Sequence, residues 1–115
     1  ENNVIRAYAL DEIAVEKVAA LTDRARNEPR DLYDVWYLTS KQHVDLAMLV
    51  TELDAKLEFR GRTRDGLGEV LAKKEARYNK LWSARLGAQM SELPPFDYVY
   101  RSVCRTLRAA GVTDR

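Results

Sequence analysis

Two neighbouring segments of the chain combine cations and carboxylates at helical spacing. Lys17, Ala20 and Arg24 lie at positions i, i+3 and i+7, so they share one face of a helix. Asp31 and Asp34 lie at i and i+3 and share a face of the next helix. If the two helices fold back on each other, an ammonium and carboxylates would flank a gap of phosphate size. Phosphoryl transfer uses such groups, a cation for the phosphate oxygens and a carboxylate to bind metal or orient the nucleophile.

The alignment of these two helices can be predicted from the proline between them, which suits the first turn of a helix. An antiparallel arrangement would place Arg24 level with Asp31 and Ala20 level with Asp34. Lys17 would stand one turn further out, ~5 Å along the axis. The alternative is a plain salt bridge on a solvated surface, which contributes about 0–1 kcal/mol. Spacing alone does not make these residues catalytic.

Two motifs in this region resemble those of a known family. The run Lys17-Val18-Ala19-Ala20 is similar to the K-x-x-A motif of AbiEii/AbiGii-type nucleotidyltransferase toxins. The run Arg30-Asp31-Leu32-Tyr33-Asp34 is similar to their R-D-x-x-D motif. The resemblance is specific from residue 8 to residue 38 and weaker in the rest of the chain. It implies the helical C-terminal part of a DNA polymerase β-like nucleotidyltransferase.

The resemblance also implies roles for individual residues. Lys17 would contact nucleotide phosphates, and Asp34 would be an essential acid with Asp31 as its neighbour, so these three are the candidate catalytic residues. Arg30 would steady that acidic pair or touch a phosphate. The candidate nucleotide-binding residues are therefore Lys17 and Arg30, together with Arg24, which spacing places on the same helix face as Lys17. The reaction implied is transfer of a nucleotidyl group from a nucleoside triphosphate to an acceptor, with tRNA as a candidate. A toxin of this type implies an antitoxin protein as partner.

The other motifs of the family, a Gly-Ser turn and metal-binding aspartates on a sheet, have no counterpart here. No glycine is followed by serine, and no strand pair with Asp-x-Asp is predicted. We therefore expect residues 1–115 to form a single helical domain, a fragment without the N-terminal nucleotidyltransferase sheet. The fragment alone should be inactive and bind no metal or cofactor. Mg²⁺ and a nucleoside triphosphate would bind in the full-length protein, because two-metal transfer needs the missing carboxylates.

The predicted elements that position these residues are mainly helical. The segment 3–10 alternates loosely and is predicted as one short strand, which could pair with a second copy of the chain. Asp11 is predicted as the N-cap of the first helix. Apolar residues at helical spacing predict helices at 12–25, 29–41, 44–59, 69–90 and from 96 to just before Gly111. The expected fold is an irregular bundle of about five helices preceded by one short strand.

Composition limits the function classes. Hydrophobic residues make up 46% of the chain and charged residues 32%, as in globular domains. No apolar run approaches the ~20 residues that span a bilayer, so we expect no membrane segment. The single cysteine, Cys104, fits a reducing cytoplasm. The net charge of +1 gives no general attraction to nucleic acid, so any such binding must come from local clusters.

Several residues could contribute to such binding. Seven cations form two clusters on predicted helices: Arg101, Arg105 and Arg108 in one, and Lys73, Lys74, Arg77 and Lys80 in the other. The candidate RNA- or partner-binding residues are the three arginines of the first cluster with Lys73 and Arg77. They could bind RNA or an acidic partner, which is the basis of an alternative function, a non-catalytic helical module that binds RNA or a protein. A solvated helix face is the simpler interpretation of both clusters. Tyr33 and Tyr37, at i and i+4, could stack a nucleobase or pack in the core.

Overall fold

Five α-helices carry most of the buried apolar residues that the structure describes. The computed structural model describes residues 2–114. The helices are α1 (Asn2–Leu21), α2 (Pro29–Ser40), α3 (Val50–Phe59), α4 (Leu67–Leu86) and α5 (Phe96–Ala109). A 3-10 helix, Leu46–Leu49, leads directly into α3. The predicted bundle of about five helices is confirmed.

The predicted strand at 3–10 is wrong, because this segment forms the first half of α1. Arg6, Ala7, Ala9 and Leu10 all have good helix propensity, and nothing in the segment breaks a helix. A helix also pairs its own backbone groups, whereas a strand here would have no partner, since residues 2–114 contain no other strand. Asp11 is therefore an internal helical residue and not an N-cap. Self-association through a strand edge at 3–10 loses its structural basis.

The end of α1 differs from the prediction in a way that matters for the site. The helix ends at Leu21 and not at Ala25. The hydroxyl of Thr22 donates to the carbonyl oxygen of Val18 over 2.8 Å, and the Asp23 carboxylate accepts the backbone N–H of Ala25 over 2.9 Å. Such local side-chain bonds compete with further helical bonds. The segment 22–28 therefore connects α1 to α2, and its residues do not continue the helical spacing of α1.

The start of α2 follows its sequence signals. Pro29 occupies the first turn, where its missing N–H costs nothing. The side chain of Glu28 accepts a hydrogen bond from the backbone N–H of Arg30 over 3.1 Å and caps the helix. The buried face of α2 includes Leu32, Val35 and Leu38, which pack in the core. Burying each such side chain stabilises the fold by about 1.5–3 kcal/mol.

The core lies where all five helices meet. Its fully buried members come from every helix and include Val18 of α1, Leu32 of α2, Leu57 of α3, Tyr78 of α4 and Leu107 of α5. The predicted core line of α4 is confirmed at Leu71, Tyr78, Trp82 and Leu86. No helix within residues 2–114 combines the length and apolarity that a membrane crossing needs.

Candidate active site

The site is built on the first two helices, which pack against each other and run in opposite directions. Near one end of the pair, Arg6 of α1 donates to the side chain of Gln42, just beyond α2, over 3.3 Å. Near the other end, Lys17 lies 2.9 Å from Asp34. As the residue number rises along α1, its partner's number falls along α2. The predicted antiparallel arrangement is therefore confirmed.

Lys17 lies between the two aspartates of α2. Its Nζ is 2.9 Å from Oδ2 of Asp34 and 3.7 Å from Oδ1 of Asp31. The Lys17 side chain is 30% exposed and that of Asp34 is 20% exposed, so the pair can be reached from solvent. The structure thus brings together the three candidate catalytic residues. The predicted gap of phosphate size between the ammonium and the carboxylate is wrong, because the long Lys17 side chain reaches Asp34 and contacts it directly.

Asp31 is fully buried and is held by an arginine that the sequence did not single out. Nε of Arg26 donates to Oδ2 over 2.6 Å, and Nη2 donates to Oδ1 over 3.3 Å. This paired hydrogen bonding raises the pKa of Arg26. The predicted neighbour was Arg24, but α1 ends at Leu21, so Arg24 lies in the connection and not on the helix face. Arg24 instead lines a small cavity with Lys73 of α4.

Asp34 accepts from two cations on its two oxygens. Lys17 contacts Oδ2, and Nε of Arg30 donates to Oδ1 over 3.1 Å. Arg30 also donates to Gln89 over 2.9 Å, and its guanidinium lies 5.8 Å from the centre of the Tyr33 ring. The candidate nucleotide-binding residue Arg30 is therefore adjacent to Lys17, with one carboxylate between them.

Lys74 of α4 is a second residue that the sequence did not identify as part of the site. Its side chain is buried, and its Nζ donates to the backbone carbonyl of Leu21 over 2.6 Å. Burial lowers the pKa of Lys74 to about 8, and the negative charge of Asp31 opposes that shift. A signal was present in the sequence, because Lys74 lies three residues after Leu71 and four before Tyr78, within the core line of α4.

The cluster has more cations than carboxylates. Asp31 and Asp34 are surrounded by four basic residues: Lys17, Arg26, Arg30 and Lys74. Each of the four carboxylate oxygens faces a cation. The two carboxylates do not fit the role of Mg²⁺ ligands in this arrangement, because the metal would replace a contact to a cation and add positive charge. The excess of positive charge suits an incoming anion.

The other candidate binding residues are exposed and distributed over separate helices. Arg101, Arg105 and Arg108 are exposed on α5, and Arg101 lies 3.2 Å from the carboxylate of Asp97. Lys73, Arg77 and Lys80 are exposed on α4. The prediction that Lys74 belongs to the same exposed cluster is wrong, because its side chain is buried. Their exposure is compatible with RNA or partner binding and equally with a solvated surface, so that assignment stays a prediction.

The arginines of the connection between α3 and α4 contact the protein. Arg60 lies 2.6 Å from Glu16, and Arg64 lies 2.7 Å from Asp54. Arg62 donates to the carbonyl of Ala19 over 2.9 Å and thereby pairs a backbone group at the end of α1. The segment behind Lys17 is thus tied to the bundle by Arg62 as well as by Lys74.

The fold and the site together define a helical domain with one cation-rich cluster around two aspartates. A family model described as "Nucleotidyl transferase AbiEii toxin, Type IV TA system" matches residues 1–102. The match covers most of the chain, so the chain belongs to the AbiEii family, and the resemblance found in the sequence is confirmed. The family is one of nucleotidyltransferase toxins of type IV toxin–antitoxin systems, and it implies an antitoxin partner. No curated protein and no solved structure matches the chain significantly.

Proposed function

We propose that this chain supplies the helical side of the active site of a nucleotidyltransferase toxin. The full-length protein would transfer a nucleotidyl group from a nucleoside triphosphate to an acceptor, for which tRNA is our candidate. The observation that carries the proposal is the contact of Lys17 with Asp34, over 2.9 Å, inside the K-x-x-A and R-D-x-x-D motifs. Two helices place these groups in a cluster with excess positive charge, open to solvent at Lys17.

The proposed roles follow from exposure and contacts. Lys17 and Arg30, which are partly exposed, bind triphosphate oxygens and stabilise the charge that develops in transfer. Asp34 is the essential acid, and it orients both cations through its two oxygens. Asp31 is buried against Arg26 and holds the start of α2 in place. Arg24 would contact the nucleotide from the connection, next to Lys73.

We further propose that the metal-binding groups belong to another part of the full-length protein. Mg²⁺ would neutralise phosphate charge there when it is bound. The aspartates of this chain already face cations, and the described residues contain no group of three His, Cys, Asp or Glu that could hold a metal. The parent would then have a polymerase β-like sheet carrying its own carboxylates, and the 115-residue chain alone would be inactive.

The test is nucleotide transfer by the full-length protein. Purified native protein is incubated with α-labelled nucleoside triphosphates and total RNA, and labelled RNA is measured. Lys17→Ala and Asp34→Asn should each reduce transfer by at least ~100-fold. Lys56→Ala is the matched control and should transfer normally, because Lys56 of α3 is a similarly exposed lysine that pairs with a carboxylate, that of Glu16, over 2.8 Å. Unchanged transfer by either site variant would remove its assignment, and labelling by the 115-residue chain alone would show that the sheet is not required.

A non-catalytic module predicts the opposite pattern in the same experiment. In that case Lys17→Ala would leave function intact, whereas reversing the charges of Arg101, Arg105 and Arg108 would abolish RNA or partner binding. Growth arrest of cells that express the full-length toxin can be measured for the same variants, and a non-catalytic module predicts that Lys17→Ala still arrests growth.

A further inference from the structure

A groove lined by aromatic side chains lies beside the Lys17–Asp34 pair, on the same helix. Its volume is about 560 Å³, within the range of small-molecule sites. One wall comes from α2 and the residues that follow it. The opposite wall comes from the segment before α5. The lining residues used below are Tyr33, Tyr37, Lys41, Gln42 and Glu92.

The two tyrosines present a flat stacking surface. The Tyr33 and Tyr37 rings lie with their centres 6.1 Å apart and their planes only 22° apart, so they stack with an offset. Tyr37 is 41% exposed, which leaves a ring available to a further planar group. Stacking on an exposed aromatic ring is the main way in which proteins hold unpaired nucleobases.

The remaining lining residues suit the other parts of a nucleotide. Lys41 places its ammonium 5.5 Å from the centre of the Trp36 ring, where it can also reach a phosphate. The Gln42 amide donates to the Tyr37 hydroxyl over 3.3 Å. The oxygen of the same amide accepts from Arg6 over 3.3 Å, so Gln42 holds the stacking tyrosine in place. The Glu92 carboxylate supplies acceptors for the edge of a base. An apolar ligand would form no hydrogen bond or ion pair with Lys41 or Glu92.

The groove and the proposed site share one face of α2. Arg30, Asp34, Tyr37 and Lys41 follow one another at i, i+4, i+7 and i+11, which places them in a single line along the helix. Tyr37 is three residues beyond Asp34, or about 4.5 Å along the axis. That distance is within the reach of one nucleotide. A base stacked on Tyr37 would therefore place the end of its strand beside Asp34.

We propose that this groove binds the terminal nucleobase of a single-stranded nucleic acid, with Tyr37 as the stacking residue. The groove then identifies the acceptor class as the unpaired end of a strand, an assignment that rests on the proposed function. The base stacks on Tyr37, its edge meets Glu92, and Lys41 neutralises a phosphate of the strand.

The experiment measures binding without catalysis. The 115-residue chain is titrated into a hexaribonucleotide with 2-aminopurine at its 3′ end, whose fluorescence falls when the base stacks. Tyr37→Ala should weaken binding by ~10-fold, and Tyr37→Phe, which keeps the ring, should bind within about twofold of the native chain. Tyr8→Ala is the matched control, since Tyr8 is an exposed tyrosine on a different helix, α1. It should bind as the native chain does.

Three outcomes would overturn the proposal that the groove binds the end of a strand. They are equal binding by the native chain and Tyr37→Ala, equal binding of a hexanucleotide with an abasic 3′ end, and equally tight binding of free 2-aminopurine nucleoside monophosphate. The last result would assign the groove to the base of a free nucleotide and not to a strand.

The two proposals can fail separately. If Lys17→Ala abolishes transfer while Tyr37→Ala binds the hexanucleotide as tightly as the native chain does, only the proposal about the groove is refuted. If Tyr37→Ala weakens hexanucleotide binding while Lys17→Ala transfers normally, the proposed function is refuted, and the strand loses its role as acceptor. The binding of a strand end in the groove would still stand.

Discussion

The ammonium of Lys74 on α4 donates a hydrogen bond to the carbonyl oxygen of Leu21, the last residue of α1, over 2.6 Å. This contact pairs a carbonyl that the helix itself leaves free, and it brings a positive charge under Asp31. Lys74 also lies 5.5 Å from the centre of the Tyr78 ring. One buried lysine thus links α4 to the end of α1, where the site begins.

The first prediction concerns the pH dependence that Lys74 causes. Its pKa is lowered to about 8 from 10.5 in the unfolded chain, so between these values the unfolded state binds the proton and the folded state does not. Stability should therefore rise as pH increases from 8 towards 10, by about 2 kcal/mol from this group. Urea unfolding at several pH values measures the effect.

The control for this prediction is Lys74→Met, which removes the titrating group and keeps most of the volume. Its stability profile should lack the rise above pH 8. Burial also raises the pKa of the Cys104 thiol from 9.0, so this group lowers stability in both proteins as pH rises above 9. Measurements should stop near pH 10, because burial raises the pKa of Tyr78 to about 12 and that group lowers stability above pH 10. Parallel profiles for the two proteins would contradict the assignment.

The second prediction separates the two aspartates. Asp31→Asn should lower the free energy of unfolding by about 2–3 kcal/mol, because it removes a buried carboxylate that balances Arg26 and Lys74. Asp34→Asn should lower it by about 1 kcal/mol or less, since Asp34 is partly solvated. Chemical denaturation of both variants makes the comparison. Equal losses would mean that Asp31 has no special structural role.

The third prediction concerns acid stability. Hydrogen bonds from Lys56 and Arg60 lower the pKa of Glu16 to about 2 from 4.5. A depressed carboxyl pKa stabilises the fold above the unfolded value, so this contribution should disappear as pH falls from 4.5 to 2. Glu16 is 45% exposed, so the effect is small. The thermal midpoint of Glu16→Gln should lose less over this window than that of the native chain.

The fourth prediction separates stability from function at Lys17. Lys17→Met should change the free energy of unfolding by about 1 kcal/mol or less, because the side chain is partly exposed. In the full-length protein the same change should weaken nucleoside triphosphate binding by at least ~10-fold, measured by calorimetry. Lys80→Met serves as the control lysine. If Lys17→Met unfolds the protein enough to explain the weaker nucleotide binding, the contact of Lys17 with Asp34 is a structural salt bridge and not part of a binding site.

The strand at 3–10 shows where sequence reasoning failed. The segment was predicted as a strand because it alternates loosely, but a strand is stable only when another strand completes its hydrogen bonds. No strand is present among residues 2–114, and the helix needs no such partner. The apolar residues Val4, Ile5 and Tyr8 lie at i, i+1 and i+4, which also fits a helix. Local propensity and the lack of a partner strand therefore decided the outcome.

The candidate site was predicted better than its surroundings. The spacing of Lys17, Asp31 and Asp34 predicted that they come together, because periodicity and an antiparallel turn determine which faces meet. It did not predict the direct contact of Lys17 with Asp34, where a gap was expected. The guanidinium beside Asp31 was predicted wrongly as that of Arg24, since the end of α1 depends on the hydroxyl of Thr22 and on local turns. Helix boundaries are set by such single hydrogen bonds, which a periodic pattern does not contain.

The sequence by itself determined the helices of the bundle, the family through its two motifs, and the pairing of one lysine with two aspartates. Helical periodicity and local turn chemistry carry that information along the chain. Only the tertiary structure decided that Arg26 and Lys74 complete the cluster, that Asp31 is buried while Asp34 is reachable, and that Tyr37 opens onto a groove. Burial and the charge around a group depend on helices distant in sequence, so they exist only once the bundle has packed.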